Sequence, residues 1–198
     1  METIDTLMSE HRLIERALDG LTVFADEVRR KSADDKAELG RFVTFIREFA
    51  DAHHHGKEED ILFTAMVEAG FPRQGGPVAV MLMEHDRGRA FVTVLAGLAG
   101  QGAPWSADDR QELAEAAHGF ADLLHAHIHK EDAILYPMAE QRLSPELLAR
   151  VDAAASAYDA RQAAAGVQDR LARLADELVS RHAPLNAEPQ QRPAAGCC

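Results

Sequence analysis

The sequence predicts an all-α protein, an up-down-up-down four-helix bundle followed by extra C-terminal helices. Three observations carry this. Glycine and proline cluster in a few short stretches, the chain between them is apolar at helical spacing, and the scattered β-branched residues show no two-residue alternation. The first helix is expected from about Ile4 to Arg30, where Ile4, Leu7, Met8, Ile14 and Leu18 share a face. Ser32, with Asp35 three residues on, reads as a short variant of a capping box opening a second helix that runs to about Glu68 before Gly70. The stretch from Gly70 to Pro77 is a loop, and a third helix follows from about Val78 to Leu98. A loop from Gly100 to Trp105 ends in a second capping signal, Ser106 with Asp109, and the fourth helix runs to about Gln141. Ser144, Pro145 and Glu146 read as N-cap, first helical position and acidic first turn of further helix. Val167, Leu171, Leu174 and Leu178 form the stripe of a last helix. The expected division is thus a bundle over residues 1–142, a helical extension over 143–182 that packs outside the bundle or makes a homodimer contact, and a disordered tail over 183–198.

Composition narrows the function classes. The chain has 198 residues, and 21 Lys and Arg against 33 Asp and Glu give a net charge of −12, which argues against a nucleic-acid partner. Cys197 and Cys198 are the two cysteines, adjacent to each other, so no disulfide is expected to staple the fold and a reducing, cytoplasmic setting is the default. The first residues are acidic with no apolar run behind them, and no membrane span is read anywhere in the chain.

The ten histidines are the unusual feature, and an internal repeat organises them. Glu10-His11-Arg12 answers Glu84-His85-Asp86, and HHGKEEDILF from His54 aligns with HIHKEDAILY from His127, matching Lys57 to Lys130 and Glu58 to Glu131. At about 100° per residue, His11, His54, His85 and His127 each fall in the apolar stripe of one helix. Glu58 and Glu131 lie beside them, each four residues after a stripe histidine. In the fourth helix Ile134 and Met138 are read on that inward stripe, and His118, His125 and His129 point away. Burying two carboxylates and four imidazoles without a partner would cost more than a domain can spare, and a bound cation removes the difficulty. Imidazole and carboxylate without thiolate suit iron, manganese or zinc, and six ligands are too many for one tetrahedral zinc. Two metals are the economical answer. If Glu58 and Glu131 bridge them, each ion keeps open positions for O2, NO or peroxide.

These segments, EHRLIERAL at Glu10 to Leu18, HHGKEEDILF, EHDRGRAFV at Glu84 to Val92 and HIHKEDAILYP, resemble the hemerythrin-like family of HHE cation-binding proteins over residues 1 to about 142. The resemblance implies two iron ions in a four-helix bundle, held by His11, His54, Glu58, His85, His127 and Glu131. It also implies a role in carrying or sensing O2, responding to NO or peroxide, or repairing iron–sulfur clusters. The oxygen carriers have His-x-x-x-His on the third helix and end the fourth motif in Asp, whereas this chain reads His85-x-x-x-Arg89 and Glu131. Repair members often carry an N-terminal cysteine-bearing segment, and no cysteine precedes position 197 here.

Arg89 takes the slot beside His85 that the two glutamates take beside theirs, so it is expected to pair with Glu15 or a ligand carboxylate. Glu15 is a further ligand candidate. His53 and His55 flank the stripe as hydrogen-bonding or solvated groups, Lys57 and Lys130 are expected in solvent, and Met81, Met83 and Met138 in the core. The ferritin-like pattern Glu-x-x-His occurs as Glu115-x-x-His118, off the apolar stripe, which disfavours that fold. A sensor, a peroxide- or NO-consuming enzyme and a metal-stabilised scaffold all remain compatible with this sequence.

Overall fold

The computed structural model describes residues 1–183, so Cys197, Cys198 and nearly all of the expected tail lie outside the described residues. Six helices follow one another: α1 (Glu2–Lys31), α2 (36–68), α3 (Pro77–Gly100), α4 (107–142), α5 (Pro145–Ala164) and α6 (Val167–Arg181). No strand occurs among them. The first four make the bundle, each burying one apolar stripe against its neighbours.

The helix ends follow local chemistry, with one change from expectation. Ser32 closes α1 in the left-handed region at φ 52°, and it is Asp35 that caps α2, its side chain accepting from the Glu38 N–H. The capping box at Ser106 and Asp109 forms as the sequence suggests, and Ser144 caps α5. Where α3 and α4 cross, a Cβ on Gly119 would stand 2.8 Å from Phe91 Cε1, so that position sets how closely the two helices approach.

Helices α2 and α4 are wound partly as π-helix: Ile46–His55 and Glu58–Leu62 in α2, Glu131–Leu135 in α4. Each wide turn takes one residue more than an α turn and rotates everything beyond it. This overturns part of the expected stripe. Ile134 is 53% exposed, while Leu135 and Tyr136 are buried in its place. In α2, Phe63 and Met66 likewise take up the core positions beyond the π turns. Met83 also departs from its expected core place and is 54% exposed.

The core is split into two apolar layers. One holds Leu18, Leu21, Phe24, Phe42, Phe45, Leu95, Phe120 and Leu124, the other Ile4, Leu7, Leu62, Phe63, Met66, Leu135 and Tyr136. Between them lie the buried polar side chains, His11, His53, His54, His55, Lys57, Glu58, His85, His127 and Glu131.

The C-terminal hairpin docks on this chain's own bundle. Leu171, Ala175 and Leu178 of α6 are fully buried in the first apolar layer, so the stripe offered as a homodimer contact is covered from within. The hairpin also grips α2 by polar contacts. The Tyr158 hydroxyl donates to the Ala52 carbonyl at 2.8 Å, inside the π-wound stretch. Glu38, itself buried, accepts from His182 at 2.9 Å, Arg181 at 3.0 Å and Arg41 at 2.8 Å. Burial would push the Glu38 carboxyl up, but His182 and Arg41 outweigh it and hold it below the usual range. A lowered folded value means stability that is present above the ordinary carboxylate range and lost as pH falls through it. Glu38→Gln should therefore cost about 2 kcal/mol at neutral pH, and the cost should fade only as pH falls below the ordinary carboxylate range; urea unfolding at neutral and at acid pH checks this.

Candidate metal centre

The π-wound turns place the polar layer. They let Glu58 and Glu131 open the segments that follow His54 and His127 and leave both carboxylates fully buried between the helices. All six sequence-derived residues converge there. One ligand atom each from His11, His54, Glu58 and Glu131 lies within 4.8 Å of the others, and the same holds for His55, Glu58, His85 and His127. Glu58 belongs to both groups. Nε2 of His127 and of His11 stands 3.2 and 3.3 Å from Glu131 Oε2, and Nε2 of His54 and of His85 stands 3.7 and 3.6 Å from Glu58 Oε2.

A ring of acids fixes the histidines from outside. Nδ1 of His54 meets Glu10 at 2.8 Å, His127 meets Glu84 at 3.0 Å, His11 meets Asp132 at 2.7 Å and His85 meets Glu59 at 2.7 Å. Each of these acids meets a cation. Lys57 binds Glu10 at 2.5 Å, Arg89 binds Glu59 at 2.7 Å, Lys130 binds Glu84 and Arg12 binds Asp132. The pairing runs round the bundle: Glu10, Glu59 and Glu84 each serve the histidine of the next helix, and Asp132 of α4 closes the ring on His11 of α1. A carboxylate at Nδ1 turns Nε2 inward and raises its basicity toward a metal.

Inside that ring no lysine or arginine among the described residues reaches the two central glutamates. Glu58 Oε2 and both oxygens of Glu131 are buried with no hydrogen-bond partner among the described residues. Nε2 of His85 and Nε2 of His127 face each other at 3.0 Å, each ring already committed through Nδ1. Without a cation only protons can relieve this. Burial and the Glu131 charge push the Glu58 carboxyl well above its usual range, while Glu131 is held low against its burial by His127 and His11. Burial pulls on His11 too, yet Asp132 and Glu131 hold it up at about 9, whereas burial takes His54, His55 and His85 down to about 4. Orphaned carboxylate oxygens facing imidazole nitrogens fit hard to borderline cations such as iron, manganese or zinc.

Several expectations change here. Arg89 pairs with Asp51 at 2.8 Å, Glu59 and Asp86, in place of Glu15 or a central glutamate. Glu15 lies outside the cluster, bound to Arg12 at 2.9 Å, because α1 turns it toward the groove beside α4. Lys57, expected in solvent, is 1% exposed, held between Glu10 and Asp159. Lys130 is half-buried on Glu84. His118, His125 and His129 do lie on the outer face. Sequence reasoning missed the four outer acids, although the repeat carried the signal: Glu10 and Glu84 precede the stripe histidines, and Glu59 and Asp132 follow the central glutamates. It also missed His55, whose counterpart in the repeat is Ile128.

Comparison with known proteins agrees with this geometry. Residues 2–139 match the Hemerythrin HHE cation binding domain. The chain belongs to this hemerythrin family. Among its relatives, an uncharacterized protein of Mycobacterium tuberculosis is 24% identical over 143 residues, covering 71% of this chain and 54% of that protein. A probable iron-sulfur cluster repair protein of Haemophilus influenzae is 30% identical over 146 residues, covering 69% of this chain and 63% of that one. The chain thus spans less than two thirds of the curated relatives it matches. No solved structure matches. The α5–α6 hairpin lies beyond the stretch that matches the hemerythrin family.

The paired central glutamates make a direct test. In metal-free protein Glu58→Gln removes one of two facing acids and supplies an amide donor to Glu131. It should raise stability at neutral pH by about 1–3 kcal/mol while weakening metal binding, read by thermal unfolding with chelator and by titration with a divalent metal.

Proposed function

We propose that this hemerythrin-family protein binds two iron ions through His11, His54, Glu58, His85, His127 and Glu131, and uses them to bind or sense O2, NO or peroxide. The observation that carries this is the pair of buried glutamates, three of whose four oxygens lack any donor among the described residues while the outer acids Glu10, Glu59, Glu84 and Asp132 each meet a cation. Held by these six side chains, two ions would keep open positions for a small molecule. A pair of iron ions there would supply electron exchange with that molecule.

The chain's own residues shape what reaches the centre. An apolar cavity of about 140 Å³ touches His55 and His85 and is walled by Ile46, Ala50, Val92 and Phe120, room enough for a diatomic molecule. Asp51 and Arg89, paired with each other, line its polar side. Opposite, the Tyr136 hydroxyl donates to Glu58 Oε1 at 2.6 Å and stands 3.4 Å from His11 Nε2, orienting that carboxylate. Burial and the neighbouring glutamates hold this phenol well above its usual range, so Tyr136 keeps its proton. No helix among the described residues is long and apolar enough to cross a membrane. A second reading, handling iron in the repair of iron–sulfur clusters, is favoured by the name of the Haemophilus influenzae relative.

Protein purified with iron should hold about two ions per chain. His54→Ala and His127→Ala should each lower that content sharply and His129→Ala should leave it unchanged; elemental analysis on folded protein decides, and an iron content indifferent to His54 and His127 would refute the assignment. Val92→Phe, which fills the cavity, should slow the spectral response to NO at least several-fold with iron content unchanged. Delivery of iron to a damaged cluster protein, with no spectral response to O2, NO or peroxide, would favour the repair reading.

A further inference from the structure

We propose that His55 is a fifth histidine ligand of the centre, joining His85 and His127, so that the two metal positions are chemically unequal. This rests on the two-metal reading above. His55 is buried, and one of its ring nitrogens lies with ligand atoms of Glu58, His85 and His127 inside a 4.8 Å group. Its ring stacks on that of His85 with centroids 3.8 Å apart and meets His127 edge-on at 6.0 Å. The side chain is set up as the other four histidines are. Nδ1 faces Asp51 Oδ1 at 3.4 Å, and that carboxylate is in turn held by Arg89 Nε at 3.0 Å and Nη2 at 2.8 Å. An acid at Nδ1, itself held by a cation, is the arrangement that turns the opposite nitrogen of His11, His54, His85 and His127 to the centre, and Arg89 serves both Asp51 and Glu59 in this way.

The backbone explains how two adjacent histidines reach one centre. In an α-helix neighbours diverge by about 100°, which would carry His55 off the face of His54. The π-wound stretch Ile46–His55 has wider turns, and His53, His54 and His55 are all buried at its end. Of these, His53 faces away, toward Glu10 at 3.1 Å and Asp159 at 3.6 Å, a cluster whose cation is already the Lys57 ammonium.

The inequality follows from a place where the repeat breaks. The counterpart of His55 is Ile128, buried in the apolar core. On the other side of the centre Tyr136 answers Phe63, and its hydroxyl binds Glu58 near His11. Glu58 belongs to both groups and Glu131 Oε2 faces His11 at 3.3 Å and His127 at 3.2 Å, so the position of His85, His127 and His55 would carry three imidazoles and that of His11 and His54 two.

Mössbauer spectra of iron-loaded wild type and of His55→Leu test this, with iron content and thermal unfolding measured alongside. The apolar cavity beside His55 accepts a leucine. Wild type should show two unequal iron sites. In folded His55→Leu one of the two should change its spectrum or lose its ion, metal affinity should fall at least tenfold, and added imidazole should restore the wild-type spectrum to His55→Gly. Two irons per chain in both proteins with superimposable spectra would overturn the fifth-ligand assignment alone, leaving His55 a wall of the cavity. Wild type that takes up no more than one ion would overturn the two-metal reading and this assignment with it. Should His55→Leu fail to fold, the spectrum of His55→Gly with and without imidazole decides on the same terms.

Discussion

Glu58 and Glu131 set the terms for the rest of the structure. Two fully buried carboxylates share one small space, and three of their four oxygens find no donor among the described residues. The outer acids Glu10, Glu59, Glu84 and Asp132 each meet a cation, Lys57, Arg89, Lys130 and Arg12 in turn. The central oxygens have no such partner among the described residues, and protons on Glu58 and His11 are the substitute for a cation. An apolar pair of the same volume would stabilise the bundle better, so the glutamates are explained by what they hold. The two apolar layers on either side keep water from the centre and the helices in register around it.

The C-terminal hairpin takes part in this arrangement although it lies outside the stretch matched to the family. Asp159 of α5 binds Lys57 at 3.0 Å, Lys57 binds Glu10, and Glu10 binds His54. Tyr158 donates to the Ala52 carbonyl, in the π-wound stretch that presents His53, His54 and His55. A helix pair that could have been a free appendage therefore braces the histidine-bearing segment of α2 from outside, while Leu171, Ala175 and Leu178 close the apolar layer next to it. The charge pair of Glu38 with His182 and Arg181 fixes the end of that brace.

Much of this was legible in the sequence, because helical phase and the repeat act on the same residues. His11, His54, His85 and His127 fall inward by simple α-helical geometry, and the structure brings them together with Glu58 and Glu131. Where phase reasoning failed, the cause is a change of helical winding. The extra residue in the turn Glu131–Leu135 swaps Ile134 for Leu135 and Tyr136, and the π stretch ending at His55 brings in a histidine that α geometry sets aside. The lysines failed for a different reason. Lys57 and Lys130 were assigned to water by residue type, although their recurrence beside each central glutamate marked them as partners of buried acids. Arg89 was rightly given an acid and given the wrong one, since sequence spacing does not reveal that Asp51 and Glu59 of α2 face α3.

The central claim is that a cation pair belongs where the unpartnered oxygens of Glu58 and Glu131 meet four imidazole nitrogens. Anomalous X-ray diffraction at the iron edge, on crystals of protein produced with iron and without added zinc, locates metal independently of any reactivity. The account predicts two peaks between the four bundle helices, with Glu58 and Glu131 lying between both and His11 and His54 at one, His85 and His127 at the other. A well-ordered bundle with no peak among these side chains, or with iron on the outer face near His125 and His129, would contradict it.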